Sequence, residues 1–109
     1  MRIQDDGDTL LVQPQGEVDV ATAPKLSAAL RRCTNGHRLV ICDLSEVTFM
    51  DSTGLHALVD ARRREPERFV LGATSHQVQR LLDLTGTSSL FKRIDAVAQD
   101  AMEAGGDPP

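Results

Sequence analysis

The chain has no tryptophan, no tyrosine and only three phenylalanines among its 109 residues, so a core must be assembled from Leu, Val, Ile and Ala. It therefore lacks the aromatic platform on which single-stranded nucleic acids stack. Basic residues are also scarce: Lys and Arg number 12 against 16 Asp and Glu, for a net charge of −4. That balance excludes a surface built to neutralise nucleic-acid phosphates. The one basic run, Arg62 Arg63 Arg64, reads as favourable charge at a helix C-terminus just ahead of Pro66. No apolar run approaches a membrane span and the amino terminus lacks a signal-peptide pattern, which predicts a cytoplasmic location without membrane insertion. Two cysteines, Cys33 and Cys42, are too few for a disulfide framework and lack zinc-site spacing. Both read as free thiols, Cys42 as a small buried hydrophobe. There is no Gly-rich phosphate loop with its lysine, no His-Glu-x-x-His and no Gly-x-Ser-x-Gly elbow. An enzyme is not expected, nor a metal or a cofactor.

What is present is an alternation of short apolar strands and amphipathic helices in a length typical of one domain. Thr9 to Gln13 is β-rich, and the turn-like Asp5 Asp6 Gly7 Asp8 before it predicts a hairpin. Thr22 and Pro24 start a helix with an apolar stripe of Leu26, Ala29, Leu30 and Cys33, and Asn35 Gly36 ends it. Arg38 to Cys42 reads as a buried strand, followed by a connector and a helix on which Leu55, Leu58, Val59 and Arg62 recur at helical spacing. Phe69 Val70 Leu71 forms the next strand. Ser75 caps a third helix with Val78, Leu81 and Leu82 facing inward and Gly86 at its end. An apolar turn from Leu90 to Ile94 leads to a last helix through about Met102, and residues 103–109, with two glycines and two prolines, read as a disordered tail. Strands alternating with helices predict an α/β fold with right-handed crossovers.

Residues Phe49 to Leu55, Phe-Met-Asp-Ser-Thr-Gly-Leu, place two adjacent hydroxyls at a helix start, where the first backbone N–H groups have no partner inside the helix. Such amides can bind a hydroxyl oxygen or a phosphate. Taken alone, Ser52 also fits a simple N-cap worth about 1 kcal/mol. The Asp-Ser-Thr-Gly-Leu run resembles the phosphorylation motif of the bacterial anti-sigma factor antagonists, which are single STAS domains. Gly16 Glu17 Val18 Asp19 with the helix after it is similar to that family's Gly-Glu-Leu-Asp segment. Gln79 to Phe91 is similar to its penultimate helix and the turn that follows. The resemblance runs over roughly Ile3 to Ala101, and the domain is assigned to residues 1–102.

The resemblance implies a mixed sheet of four to five strands with about four helices largely on one face. It also implies a phosphorylation-gated binding protein. The unphosphorylated form binds an anti-sigma factor that is also a serine kinase, which frees a sigma factor for transcription. The kinase, using ATP, phosphorylates Ser52 and breaks the complex, and a serine phosphatase resets it. Thr53 is the weaker phosphorylation candidate, because the family's phosphate goes on the residue directly after the aspartate. The partner-binding set is Asp19, Asp51, Ser52, Thr53, Gly54 and His56. Asp51 also fits a residue favouring the positive end of the helix, and Asp19 fits a cap of the first helix along with Thr22. His56 departs from the family pattern, which often has glycine there; its plain reading is an exposed histidine pairing with Asp60. Ser52 and His56 do not read as a nucleophile and base, since residues at i and i+4 of one helix run side by side. The alternative reading is a structural STAS subunit of a lipid-transport ABC system, docking without a phosphate cycle.

Overall fold

The computed structural model describes residues 1–94; the expected last helix and the tail lie outside them. The chain opens with a hairpin of β1 (Arg2–Asp5) and β2 (Thr9–Gln13). Its acidic turn works by side-chain acceptance: Asp5 Oδ1 accepts from the Gly7 amide, and Asp6 Oδ1 accepts from the amides of Asp8 and Thr9. Aspartate replaces missing backbone acceptors in this way in tight turns. There follow β3 (Gly16–Val18), α1 (Ala23–Leu30), β4 (Leu39–Leu44), β5 (Val47–Met50), α2 (Ser52–Arg64), β6 (Phe69–Thr74), α3 (His76–Thr85), a 3-10 turn at Ser88–Leu90 and β7 (Lys92–Arg93).

Five strands form a mixed sheet in the order β1-β2-β4-β6-β7, antiparallel at the hairpin and parallel elsewhere. Register lines up Leu10 with Val40 and Phe69, and Val12 with Cys42 and Leu71. Side chains alternate across a strand, so these two rows share a face. They are buried there with Leu26 and Leu30 of α1, Leu58 and Ala61 of α2, and Val78 and Leu82 of α3. The α/β class and the one-sided packing of the described helices match the reading from sequence. Phe69 and Phe91 meet edge to face, 6.3 Å between centroids at 72°, so two of the three aromatic rings reinforce the core. Ser75 does cap α3, its Oγ accepting from the Val78 amide, and Gly86 ends the helix at φ 71°. No helix among the described residues is long and apolar enough to cross a membrane.

Several features depart from the sequence reading. The first helix ends at Leu30, short of the expected Asn35 Gly36, so Cys33 lies beyond it, and the expected turn from Leu90 to Ile94 contains the short strand β7. The connector before α2 contains a strand: β5 pairs in parallel with β3 as a separate two-stranded ribbon. The buried stripe of α2 is Gly54, Ala57, Leu58 and Ala61, with Leu55 and Val59 only at its margin. Small residues face inward because α2 packs closely along α1 and β5. Finally, His37 is buried although it lies in a turn. Its Nδ1 accepts from the Thr34 amide at 2.9 Å, so Nε2 carries the proton and donates to Asp5 Oδ1 at 2.8 Å. This bond holds the Asp5 carboxyl below its ordinary range. Arg68 adds hydrogen bonds to the carbonyls of Thr34 and His37, tying the loop after α1 to the hairpin and to the start of β6. Cys42 is buried and Cys33 half-buried, both free; burial pushes both thiols up, which makes them poor nucleophiles.

Candidate functional site

The β3–β5 ribbon builds the site. Val18 is registered with Met50, and the residue that follows each is an aspartate, Asp19 and Asp51. The Asp51 amide donates to the Val18 carbonyl at 3.2 Å, so the two aspartates leave adjacent strand ends side by side. Each then opens a helix. Asp19 Oδ1 accepts from the amides of Ala21 (3.0 Å) and Thr22 (3.2 Å). Thr22 holds the cap position of α1 without capping it; its hydroxyl donates instead to the Glu17 carbonyl at 2.8 Å. Contrary to the sequence reading, neither residue therefore caps α1 with its side chain; Asp19 instead holds the turn that leads into the helix.

At α2 the cap is Asp51. Its Oδ1 accepts from the Thr53 amide at 2.9 Å and from the Thr53 hydroxyl at 2.5 Å. This corrects the reading of Ser52 as an N-cap: Ser52 is the first helical residue, exposed, and among the described residues its hydroxyl has no hydrogen-bond partner. The neighbouring hydroxyls thus differ in kind, one free in solvent and one committed to a carboxylate. The Thr53 hydroxyl, followed by backbone amides of the turn, holds the Asp51 carboxyl below its ordinary range.

A pH test follows. A depressed native pKa gives stability that is present above the unfolded carboxyl value of 3.8 and lost as pH falls through the native value. Asp51→Ala is expected to melt below the wild type at pH 7, with the gap closing as the pH drops below about 4. Asp51→Asn keeps a neutral acceptor and should show little of that pH dependence. Thermal melts at stepped pH measure both; a gap that persists unchanged at the acid end contradicts the ionised cap.

The remaining members of the expected set separate by exposure. Gly54 is buried, so it offers no surface to a partner and its role is packing. A Cβ there would lie 2.7 Å from Met50 Cγ and 2.8 Å from Val18 Cγ1; glycine lets the helix start sit directly on the ribbon's end. His56 is exposed, one turn along from Ser52. Its expected pairing with Asp60 is not what the structure shows: Asp60 takes Arg31, Arg63 and Arg64. Two apolar residues not assigned to the site flank it. Val20, directly after Asp19, is 73% exposed, and Phe49, one residue before Met50, is 49% exposed. An apolar residue directly after one aspartate and a phenylalanine two residues before the other were the available signal.

Among the described residues no group of three or more His, Cys, Asp or Glu side chains is arranged to hold a metal. The free Ser52 hydroxyl has a carboxylate nearby that is already satisfied, so it is suited to accept a group from an external enzyme or to be covered by a partner. Together these features define a small α/β module with a surface built from two strand ends and a helix start. The chain belongs to the STAS domain family, whose model matches residues 1–101. It is 38% identical over 92 residues to the anti-sigma-B factor antagonist of Listeria monocytogenes, the match covering 80% of each protein. A crystal structure of an anti-sigma factor antagonist from Mycobacterium paratuberculosis superposes with a TM-score of 0.76 at 28% identity, covering 97% of this chain and 92% of that one. The phosphorylated form of the Bacillus cell fate determinant SpoIIAA shares the fold at a TM-score of 0.67 and 17% identity, covering 94% and 96%.

Proposed function

We propose that this chain is an anti-sigma factor antagonist: a binding module, not an enzyme, whose surface of Asp19, Asp51, Ser52, Thr53 and His56 docks on an anti-sigma factor. The docked protein is also a serine kinase, and phosphorylation of Ser52 ends the complex until a serine phosphatase removes the phosphate. The work is done in the cytoplasm. The observation that carries the reading is the difference between the two hydroxyls: Ser52 is open to solvent while Thr53 is held by Asp51. The names of the relatives support antagonism, and they do not favour the transport-subunit alternative. Val20 and Phe49 supply the apolar component a partner surface needs beside its charges.

Phosphopeptide mapping after incubation with an anti-sigma kinase and ATP is the direct test. Phosphate on Ser52 alone is the expected result, and phosphate on Thr53 with Ser52 bare overturns the assignment. Asp19 provides a second check. Asp19→Ala should slow phosphate transfer or weaken kinase binding, and it should also cost about 1 kcal/mol of stability, because the carboxylate holds the turn that leads into α1. Rates and affinity equal to wild type in a folded Asp19→Ala protein remove Asp19 from the site.

A further inference from the structure

We propose that His56 is the counter-charge for a phosphate on Ser52, so that the modified switch is held by an internal ion pair. The inference rests on the reading of Ser52 as the modified residue. Ser52 opens α2 and His56 lies four positions on, both exposed. Side chains with that spacing are neighbours on a helix surface, about 5–6 Å apart at Cβ. A phosphate at a helix start ordinarily takes the free amides of the first turn. Here part of that resource is used: the Thr53 amide and hydroxyl both donate to the Asp51 carboxylate. The remaining amides are neutral and do not cancel a phosphate's charge, and the ionisable donor on its own face is the imidazole of His56.

The charges around the pair sharpen the need for one. Asp51 precedes Ser52, and Asp19 leaves the adjoining strand end, so a phosphate adds negative charge to a place that already holds two carboxylates. The elements packed against α2 bring little to offset it. β5 and β6 contain no charged residue. On α1 the charged side chain is Lys25, and Arg31 at its end is engaged with Asp60. On α2 itself Asp60 stands one turn beyond His56 and is already shared among three arginines. His56 is thus the ionisable donor of the first two turns of α2 with no carboxylate partner among the described residues. An imidazolium donating to a phosphate oxygen makes a charge-assisted hydrogen bond. The two groups ordinarily titrate close together, near 6.5 and near 6, so pairing raises the histidine and lowers the phosphate as one coupled system.

The test uses the full chain with phosphoserine installed at position 52 during translation, which makes the outcome independent of any kinase. Phosphorus NMR follows the phosphate, and the imidazole proton resonances follow the three histidines. Phosphorylation is expected to raise the His56 titration midpoint by about 0.5 unit and to leave His37 and His76 in place. In phosphorylated His56→Gln, the phosphate midpoint should rise by a similar amount, about threefold in proton affinity. His56→Lys should return it to the wild-type value or below, because the cation and not the ring is what matters. The differences should shrink in high salt. Coincident phosphate titrations for wild type, His56→Gln and His56→Lys overturn the proposal, as does a His56 midpoint unmoved by phosphorylation. Neither result touches the kinase assignment, which phosphopeptide mapping decides separately.

Discussion

Replacing Ser52 by aspartate is expected to weaken binding to the anti-sigma partner at least tenfold, about 1.4 kcal/mol, while Ser52→Ala binds as the wild type does. The serine hydroxyl is exposed and has no partner among the described residues, so alanine removes only the phosphate acceptor. A carboxylate at the same point has to be desolvated under the partner without a matching cation supplied by that partner, which can cost a few kcal/mol. It also joins Asp19 and Asp51, concentrating negative charge on the docking surface. Stability is expected to move little in either variant. Ser52 is not the cap, so Ser52→Ala should stay within about 0.5 kcal/mol of wild type, rather than losing the full value of an N-cap. Ser52→Asp gains from the positive end of the helix and loses to repulsion from Asp51. Melting curves and calorimetric titration on the same samples separate the two effects. Equal affinity for the Asp and Ala variants removes the electrostatic switch and favours docking without a phosphate cycle.

The second large effect is on folding. Gly54→Ala is expected to destabilise the domain by about 1–3 kcal/mol, in spite of alanine's better helix propensity. The new methyl would enter between Val18 and Met50, and although the methionine can swing aside, the branched Val18 side chain is stiff at Cβ. Relief requires α2 to lift from the ribbon, which also moves Ser52 relative to Asp19. Denaturant titration gives the stability change, and loss of kinase affinity alongside it would register the displaced surface. A variant as stable as wild type would mean that the ribbon yields without cost.

The parts that could be read from sequence were those with local causes. Ser75 with Gly86 bounded a helix, Asp5 to Asp8 turned a hairpin, and the apolar runs Thr9 to Gln13, Arg38 to Cys42 and Phe69 to Leu71 marked three strands. The motif at Asp51 to Leu55 located the candidate site. What remained hidden was set by distant partners. β5 is four residues long with Thr48 and Phe49 exposed between buried Val47 and Met50, a pattern without alternation. Its identity comes from β3, which sits before α1. Asp51 and Ser52 were both good capping residues by type, and only the backbone turn decided between them. His37 gave no periodic signal, since its partners Asp5 and Arg68 come from opposite parts of the chain.

The ribbon that presents Asp19 and Asp51 joins segments far apart in sequence, and its first strand is only three residues long. So short a pairing contributes little by itself, and the ribbon depends on the elements packed around it. The proposed docking surface consequently belongs to the folded domain and not to the local sequence. A nascent or damaged chain would carry the Asp-Ser-Thr-Gly peptide without the neighbouring aspartate, and so would present the sequence of the switch without its recognition surface. On the proposed function, that topology restricts signalling to folded copies.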